Sequence, residues 1–312
     1  MTTAPPTTRE FHRHPALGYA TYLLASTLFS LNGTVSKYLL LDGIFWARLS
    51  QLRVTLAFLI LVVVVLLTNR SAFRLGKGEV KGLLIYGILG IATTQSLYFL
   101  SIERMPIGVS LLFEFTAPIM VALWFKYAMH EPVRNRVFIA LALAMVGLAM
   151  VAQVWQGFTL DAIGLTAALG AAVALALYFI EGEKLVAHRD PVSLTMWGFG
   201  AAALFWAVVQ PWWLFPWEKV ASPITLMDGA GPTVPAWYLM VYMVVFGTVL
   251  PFALVLQSLR HLRATQASIV GMTEPVIASL IAFALLGEVM TPIQIFGGAI
   301  VLGAVIVAET SR

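Results

Sequence analysis

The chain has 312 residues, 60% of them hydrophobic and only 11% charged, with a formal net charge of +4 and no cysteine. A soluble domain is nearer to about 45–50% apolar and about 25% charged, so an ordinary soluble fold is excluded. The missing cysteines exclude disulfides, thiolate metal sites and cysteine nucleophiles, and in so apolar a chain the positive balance points to loops facing anionic lipid, not to nucleic acid.

In chain order, residues 1–16 form a polar tail with Pro5, Pro6 and four threonines, expected to be disordered. The apolar run that follows is too long for a signal-peptide core and reads as a retained first span. Runs of about 20 apolar residues read as membrane helices. Ten are predicted, at Leu17–Leu41, Ile44–Thr68, Val80–Ile102, Pro106–Met129, Val137–Trp155, Ala162–Leu185, Val192–Leu214, Ala236–Leu259, Ala264–Leu286 and Pro292–Ala308. Phe215 to Pro235 is the longest interruption; Pro216, Pro223, Gly229, Gly231 and Pro232 make it loop. With the N-terminus inside, fourteen Lys and Arg fall in cytoplasmic segments and three (Lys37, Arg104, Lys219) in outer ones, a strong positive-inside bias. Both termini are then cytoplasmic. Trp46, Trp155, Trp212, Trp213, Trp217 and Trp237 all fall at outer ends, as an interfacial belt would.

The chain repeats itself. Thr116-Ala117-Pro118 is followed thirteen residues after its proline by Glu131, and Thr273-Glu274-Pro275 thirteen residues after its proline by Glu288. The offset is 157 throughout, and at that spacing Gly90 matches Gly247, Ser101 matches Ser258 and Leu123 matches Leu280. One fixed period across half a chain marks a duplication, here of residues 17–155 and 162–309. Five spans per half is an odd number, so the second half enters the membrane upside down. Inverted repeats of this kind are the architecture of secondary transporters, because two near-equivalent halves can exchange conformations at similar energy.

The strings Ile107-Gly108-Val109-Ser110-Leu111-Leu112-Phe113-Glu114-Phe115-Thr116-Ala117-Pro118 and Glu274-Pro275 through Leu286-Gly287-Glu288 resemble the EamA-type repeats of the drug/metabolite transporter superfamily. The Phe-Glu-Phe-Thr-x-Pro string further resembles the bacterial threonine/homoserine exporter branch. The resemblance implies an all-α membrane protein of ten helices in two inverted five-helix repeats around a central cavity, in a bacterial inner membrane. It also implies export of amino acids or related metabolites. One departure is His130-Glu131, which stands where the second half has Gly287-Glu288.

Glu114 lies about 8 residues into its span and Glu274 about 10, which places both roughly 12–15 Å deep at the helical rise. A charge there costs on the order of 2.5–3.5 kcal/mol and persists only beside a cavity or a partner. Two readings follow: substrate-amine recognition or proton coupling, or a structural hydrogen bond to a backbone carbonyl freed by the nearby proline. Arg53 is the deep cation. It either binds a substrate carboxylate or, as we read it first, pairs with a buried glutamate to fix helix packing, while Arg48 is shallow enough to snorkel. Asn32, Gln95, Tyr98, Tyr178 and Gln257 line a polar cavity or join helices by hydrogen bonds. Pro118, Pro275 and Pro251 kink helices beside it. Glu131 and Glu288 sit at helix ends, as structural caps or as gates against the opposite half. Glu181 and Glu183 read as interfacial, with Glu181 the one expected to reach inward.

No zinc-protease, serine-hydrolase or nucleotide-loop motif is present, so no enzyme, cofactor or metal is expected. The reading is an exporter working by alternating access, coupled to protons, as monomer or homodimer, with a small-molecule substrate and membrane lipid as partners. The rival readings are a multidrug or nucleobase-type exporter of the same fold and, behind it, an integral-membrane enzyme acting on lipid.

Overall fold

The computed structural model describes residues 14–76, 78–155, 161–226, 231–286 and 290–309. The tail before His14, together with Gly287 and Glu288, lies outside the described residues. Helices follow one another as α1 (Pro15–Leu41), α2 (Trp46–Thr68), α3 (Glu79–Arg104), α4 (Ile107–Ala128), α5 (Asn135–Val151), α6 (Ala162–Val186), α7 (Pro191–Val209), α8 (Ala236–Leu259), α9a (Ala264–Gly271), α9b (Glu274–Leu286) and α10 (Pro292–Glu309). Local chemistry sets their ends. Asp161 and Asp190 cap α6 and α7 by accepting from the Gly164 and Ser193 amides at 2.7 and 2.9 Å, which covers amides a helix start leaves bare. Pro191 follows in the first turn of α7, where its missing N–H costs nothing. α7 stops at Val209, five residues before the predicted Leu214, because Gln210 precedes Pro211 and is held extended.

Six helices (α2, α3, α4, α6, α7 and α8) are long and apolar enough to cross a membrane, and α5 and α10 are shorter apolar helices. α1 buries Ser26, Ser30, Asn32 and Ser36 among its apolar residues, and α9 is in two pieces. Length and composition therefore support six crossings directly, not all ten predicted.

The predicted loop after α7 has structure of its own. Short 3-10 turns at Trp212–Leu214 and Trp217–Ala221 lead into an antiparallel hairpin, β1 (Pro223–Thr225) against β2 (Thr233–Pro235). Two three-residue strands bounded by prolines carry too little alternation to be seen in sequence. The Asp42 turn after α1 is tied to this segment. Lys219 Nζ donates to the Asp42 carbonyl at 2.6 Å and Ser222 Oγ to its carboxylate at 2.7 Å. Arg48 donates to the Pro211 carbonyl at 2.9 Å and Gln51 to that of Gln210, so Arg48 fastens this end of the molecule in place of snorkelling.

The halves pack on each other crosswise. α1 lies against α8 and α9, α6 against α3 and α4, α2 against α7, and α5 against α10. Exchanging each first-half helix for its repeat mate (1 for 6, 2 for 7, 3 for 8, 4 for 9, 5 for 10) leaves that set of pairings unchanged, which is the signature of a two-fold relation. At the seam of α5 on α10 a Cβ at Gly147 would stand 2.7 Å from the Gly297 carbonyl, so only glycine permits the approach.

Candidate binding cavity

The break in α4 recurs in α9 at the repeat spacing. α4 turns at Phe115 and Thr116 and restarts at Ala117; α9a ends at Gly271 and α9b starts at Glu274. Prolines 118 and 275 stand second in the restarting helices. The kinks expected from them are outright breaks, since a proline in a first turn forfeits no hydrogen bond. Thr116 Oγ1 covers the Phe113 carbonyl at 2.7 Å, and Thr273 Oγ1 covers Val270 at 2.7 Å. Ser30 of α1 donates to the Glu274 carbonyl at 2.8 Å. Hydroxyls therefore reinforce carbonyls beside the breaks, and no carbonyl among the described residues is capped by the Glu114 or Glu274 side chain.

A second repeated feature lies in α3 and α8, which widen into π-turns at Ile85–Ala92 and Val245–Val249. Such turns strand carbonyls and gather at functional positions. In α8, Pro251 lacks the amide that would bond the Gly247 carbonyl four residues back. Arg53 of α2 fills the vacancy, with Nη2 on that carbonyl at 2.7 Å and Nε on Thr248 Oγ1 at 2.6 Å. Its guanidinium lies 5.6 Å from the Phe99 ring centroid. The ion pair with a buried glutamate, read first from sequence, is not formed. The stranded carbonyl of a π-turn, which hydropathy does not reveal, is the stronger claim on the side chain.

These elements enclose a cavity of about 120 Å³ between the halves. Glu114, Glu274, Arg53, Asn32, Gln95, Tyr98, Tyr178 and Pro118 all line it. Tyr22, Phe29, Thr94, Phe252 and Ser268, which sequence reasoning missed, line it as well. Gln257 does not; it sits beside His261, and Pro275 lies outside the lining. Phe29 meets Phe252 edge-on at 5.3 Å, and Tyr178 meets Phe252 at 5.6 Å, forming an aromatic wall. Glu114 and Arg53 are only 8% and 4% exposed. Among the described residues neither Glu114 nor Glu274 hydrogen-bonds or ion-pairs through its side chain, and Arg53 is the one basic group in the lining. Asn32 Oδ1, Thr94 Oγ1 and both amide atoms of Gln95 are buried without a partner. Unpaired buried polar atoms cost about 1–3 kcal/mol each, so several converging on one hollow mark a place that water or a polar solute fills.

A larger hollow of about 440 Å³ opens beyond it, one turn along α1 and α9a, lined by Tyr19, Arg134, His261, Gln266 and Glu131 among others. Arg263 of the opposite half, also in its lining, donates to Glu131 at 2.7 Å. The Glu131 side chain therefore reaches across the halves, whereas the cap reading had it hold its own turn. Glu181 pairs with Lys184 along its own helix at 2.8 Å. It is Glu183 that reaches a neighbouring element, accepting from the Ala264 amide at 2.7 Å.

Comparison with known proteins fits this arrangement. The EamA-like transporter family matches residues 16–153 and again 162–310. The threonine/homoserine exporter RhtA of Escherichia coli K12 is 28% identical over 76% of this chain and 72% of its own. An uncharacterised inner membrane transporter of Salmonella typhimurium, YicL, is 24% identical over 93% of this chain and 94% of its own. A solved crystal structure, 15% identical, superposes with a TM-score of 0.73 over 95% of this chain and 97% of that one, which shows a shared fold. These relatives are named as transporters, and no enzyme is among them. With both halves matched from end to end, the chain belongs to the EamA-like transporter family and is an integral membrane transporter.

Proposed function

We propose that the protein exports amino acids or closely related small metabolites across a bacterial inner membrane by alternating access, driven by protons. In this reading all of α1 to α10 cross the bilayer, α9 as one broken span. The halves are inverted and both ends of the chain are cytoplasmic, as the distribution of Lys and Arg supports. The observation that carries it is the cavity itself. Two carboxylates, one guanidinium and unpartnered amides surround a hollow at the seam of two halves related by exchange. A zwitterion offers an amine to the carboxylates, a carboxylate to Arg53 and polar atoms to Asn32 and Gln95. The similarity to a threonine/homoserine exporter points to the same chemistry.

The size of the cavity that holds the two carboxylates and Arg53 suits a small solute better than a drug-sized one, although the hollow beyond it is wider. Pockets for drug-sized ligands run to about 300–1,000 Å³, against about 120 Å³ here. The Glu131–Arg263 bond then closes part of the cytoplasmic mouth, and the Asp42–Lys219–Ser222 ties seal the outer one.

The test is flux in proteoliposomes, with labelled L-threonine and L-homoserine, with and without a pH gradient. Gradient-dependent flux that Glu114→Gln uncouples is the expected result. Full gradient-driven flux in Glu114→Gln would remove Glu114 from coupling. A wild type that moves aromatic dyes but no neutral amino acid would replace the substrate reading with the multidrug one.

A further inference from the structure

We propose that Thr248 and the Gly247 carbonyl are a positioning clamp that fixes Arg53 as the cavity's receptor for a substrate carboxylate. The inference rests on the amino-acid reading above and adds the residues that set its selectivity. Guanidinium recognition of a carboxylate depends on orientation, because a planar fork of five donors must meet two oxygens in one plane. A long arginine side chain in a hollow would sample many orientations.

Here two contacts on adjacent residues remove that freedom, Nε to Thr248 Oγ1 at 2.6 Å and Nη2 to the Gly247 carbonyl at 2.7 Å. Both acceptors are themselves held. Thr248 Oγ1 donates to the Met243 carbonyl at 2.8 Å, so its lone pairs face Arg53 and its proton does not. The Gly247 carbonyl is available because Pro251 supplies no amide to it. The clamp leaves the other guanidinium donors uncommitted among the described residues, on a side chain that lines the cavity.

The same π-turn orients Asn32. A Cβ on Gly247 would stand 2.0 Å from Asn32 Oδ1, so the amide lies directly on the glycine with that oxygen unpartnered. One turn of α8 thus places both a cation and an amide from the opposite half. In the first half the position matching Thr248 is Ile91 and the one matching Pro251 is Thr94. The device exists in one copy, as a single carboxylate on the substrate requires.

The experiment compares L-threonine with its carboxamide, L-threoninamide, as competitors of labelled threonine flux in proteoliposomes. Reading a ratio within each variant cancels differences in folded protein. Wild type is expected to prefer threonine at least about tenfold. Thr248→Val should bring the ratio close to one, mainly by raising KM for threonine. Thr248→Ser, which keeps the hydroxyl, should retain the preference. Pro251→Ala, which restores an amide to compete for the Gly247 carbonyl, should lower it part of the way. Thr248→Val keeping the wild-type ratio would overturn the clamp while leaving the export reading standing. A wild type that moves no neutral amino acid would overturn both.

Discussion

The two halves of the molecule share a frame and differ in what they present to the cavity. At the repeat spacing, Gln95 matches Phe252, Tyr98 matches Val255 and Leu111 matches Ser268, and all six line the hollow. α3 thus supplies polar groups where α8 supplies an apolar wall. The carboxylates are not repeat mates either. Glu114 precedes the break in α4 and matches Gly271, whereas Glu274 follows the break in α9 and matches Ala117. Gly271 is needed at its position, since a Cβ there would stand 2.7 Å from the Tyr22 hydroxyl. The duplication therefore repeats the frame, namely paired breaks and paired π-turns. The polar and charged groups are distributed without that symmetry, which suits the zwitterionic solute proposed above.

The largest expected effect concerns the carboxylates. If each does distinct work, Glu114→Gln and Glu274→Gln should each lower gradient-driven flux about a hundredfold, roughly 2.8 kcal/mol, and neither should rescue the other. Flux assays on both single variants and the double check this, and equal mild losses would mean that one carboxylate suffices. Next come the glycines of the π-turns. Gly247→Ala drives a methyl into Asn32 and should destabilise the protein by about 2–3 kcal/mol. Gly90→Ala meets the Tyr178 Cα at 3.2 Å and should cost nearer to about 1 kcal/mol. Thermal unfolding in detergent measures the difference, and a reversed order would contradict the asymmetric packing described. The smallest effect belongs to the Glu131–Arg263 bond, whose side chains are 39% and 57% exposed. An exposed pair contributes less than about 1 kcal/mol, so Arg263→Gln should leave unfolding unchanged within error and alter flux only several-fold. A gate-breaking variant that also unfolds would instead make this bond structural.

Much of this frame was legible in the sequence because it is written in spacing and hydropathy. Predicted and observed bounds of the helix at Ala236–Leu259 coincide, and Glu114, Glu274 and Arg53 stand out because charge is rare in such runs. Three features were not legible. The π-turns leave no hydropathy trace, because a widened turn is as apolar as a regular one. Arg53 was assigned a glutamate partner because charge attracts charge, whereas its partner is a carbonyl that Pro251 strands. Phe29 and Phe252 line the cavity yet carry no signal in the sequence, since nothing in an apolar run tells which face meets a cavity. The prolines at 118, 251 and 275 offered the one usable signal, because each marks a carbonyl or a helix start that something else must complete.

The central claim is that this cavity is the transport path and opens to each side of the membrane in turn. The chain has no cysteine, so single cysteines can be introduced on a clean background at the paired cavity positions Leu111 and Ser268. Labelling with a membrane-impermeant thiol reagent, applied from either side during turnover, is the direct measurement. The account predicts that Leu111→Cys and Ser268→Cys both react from both sides, and that saturating threonine slows the reaction. Labelling from one side only, or labelling indifferent to threonine, would contradict it.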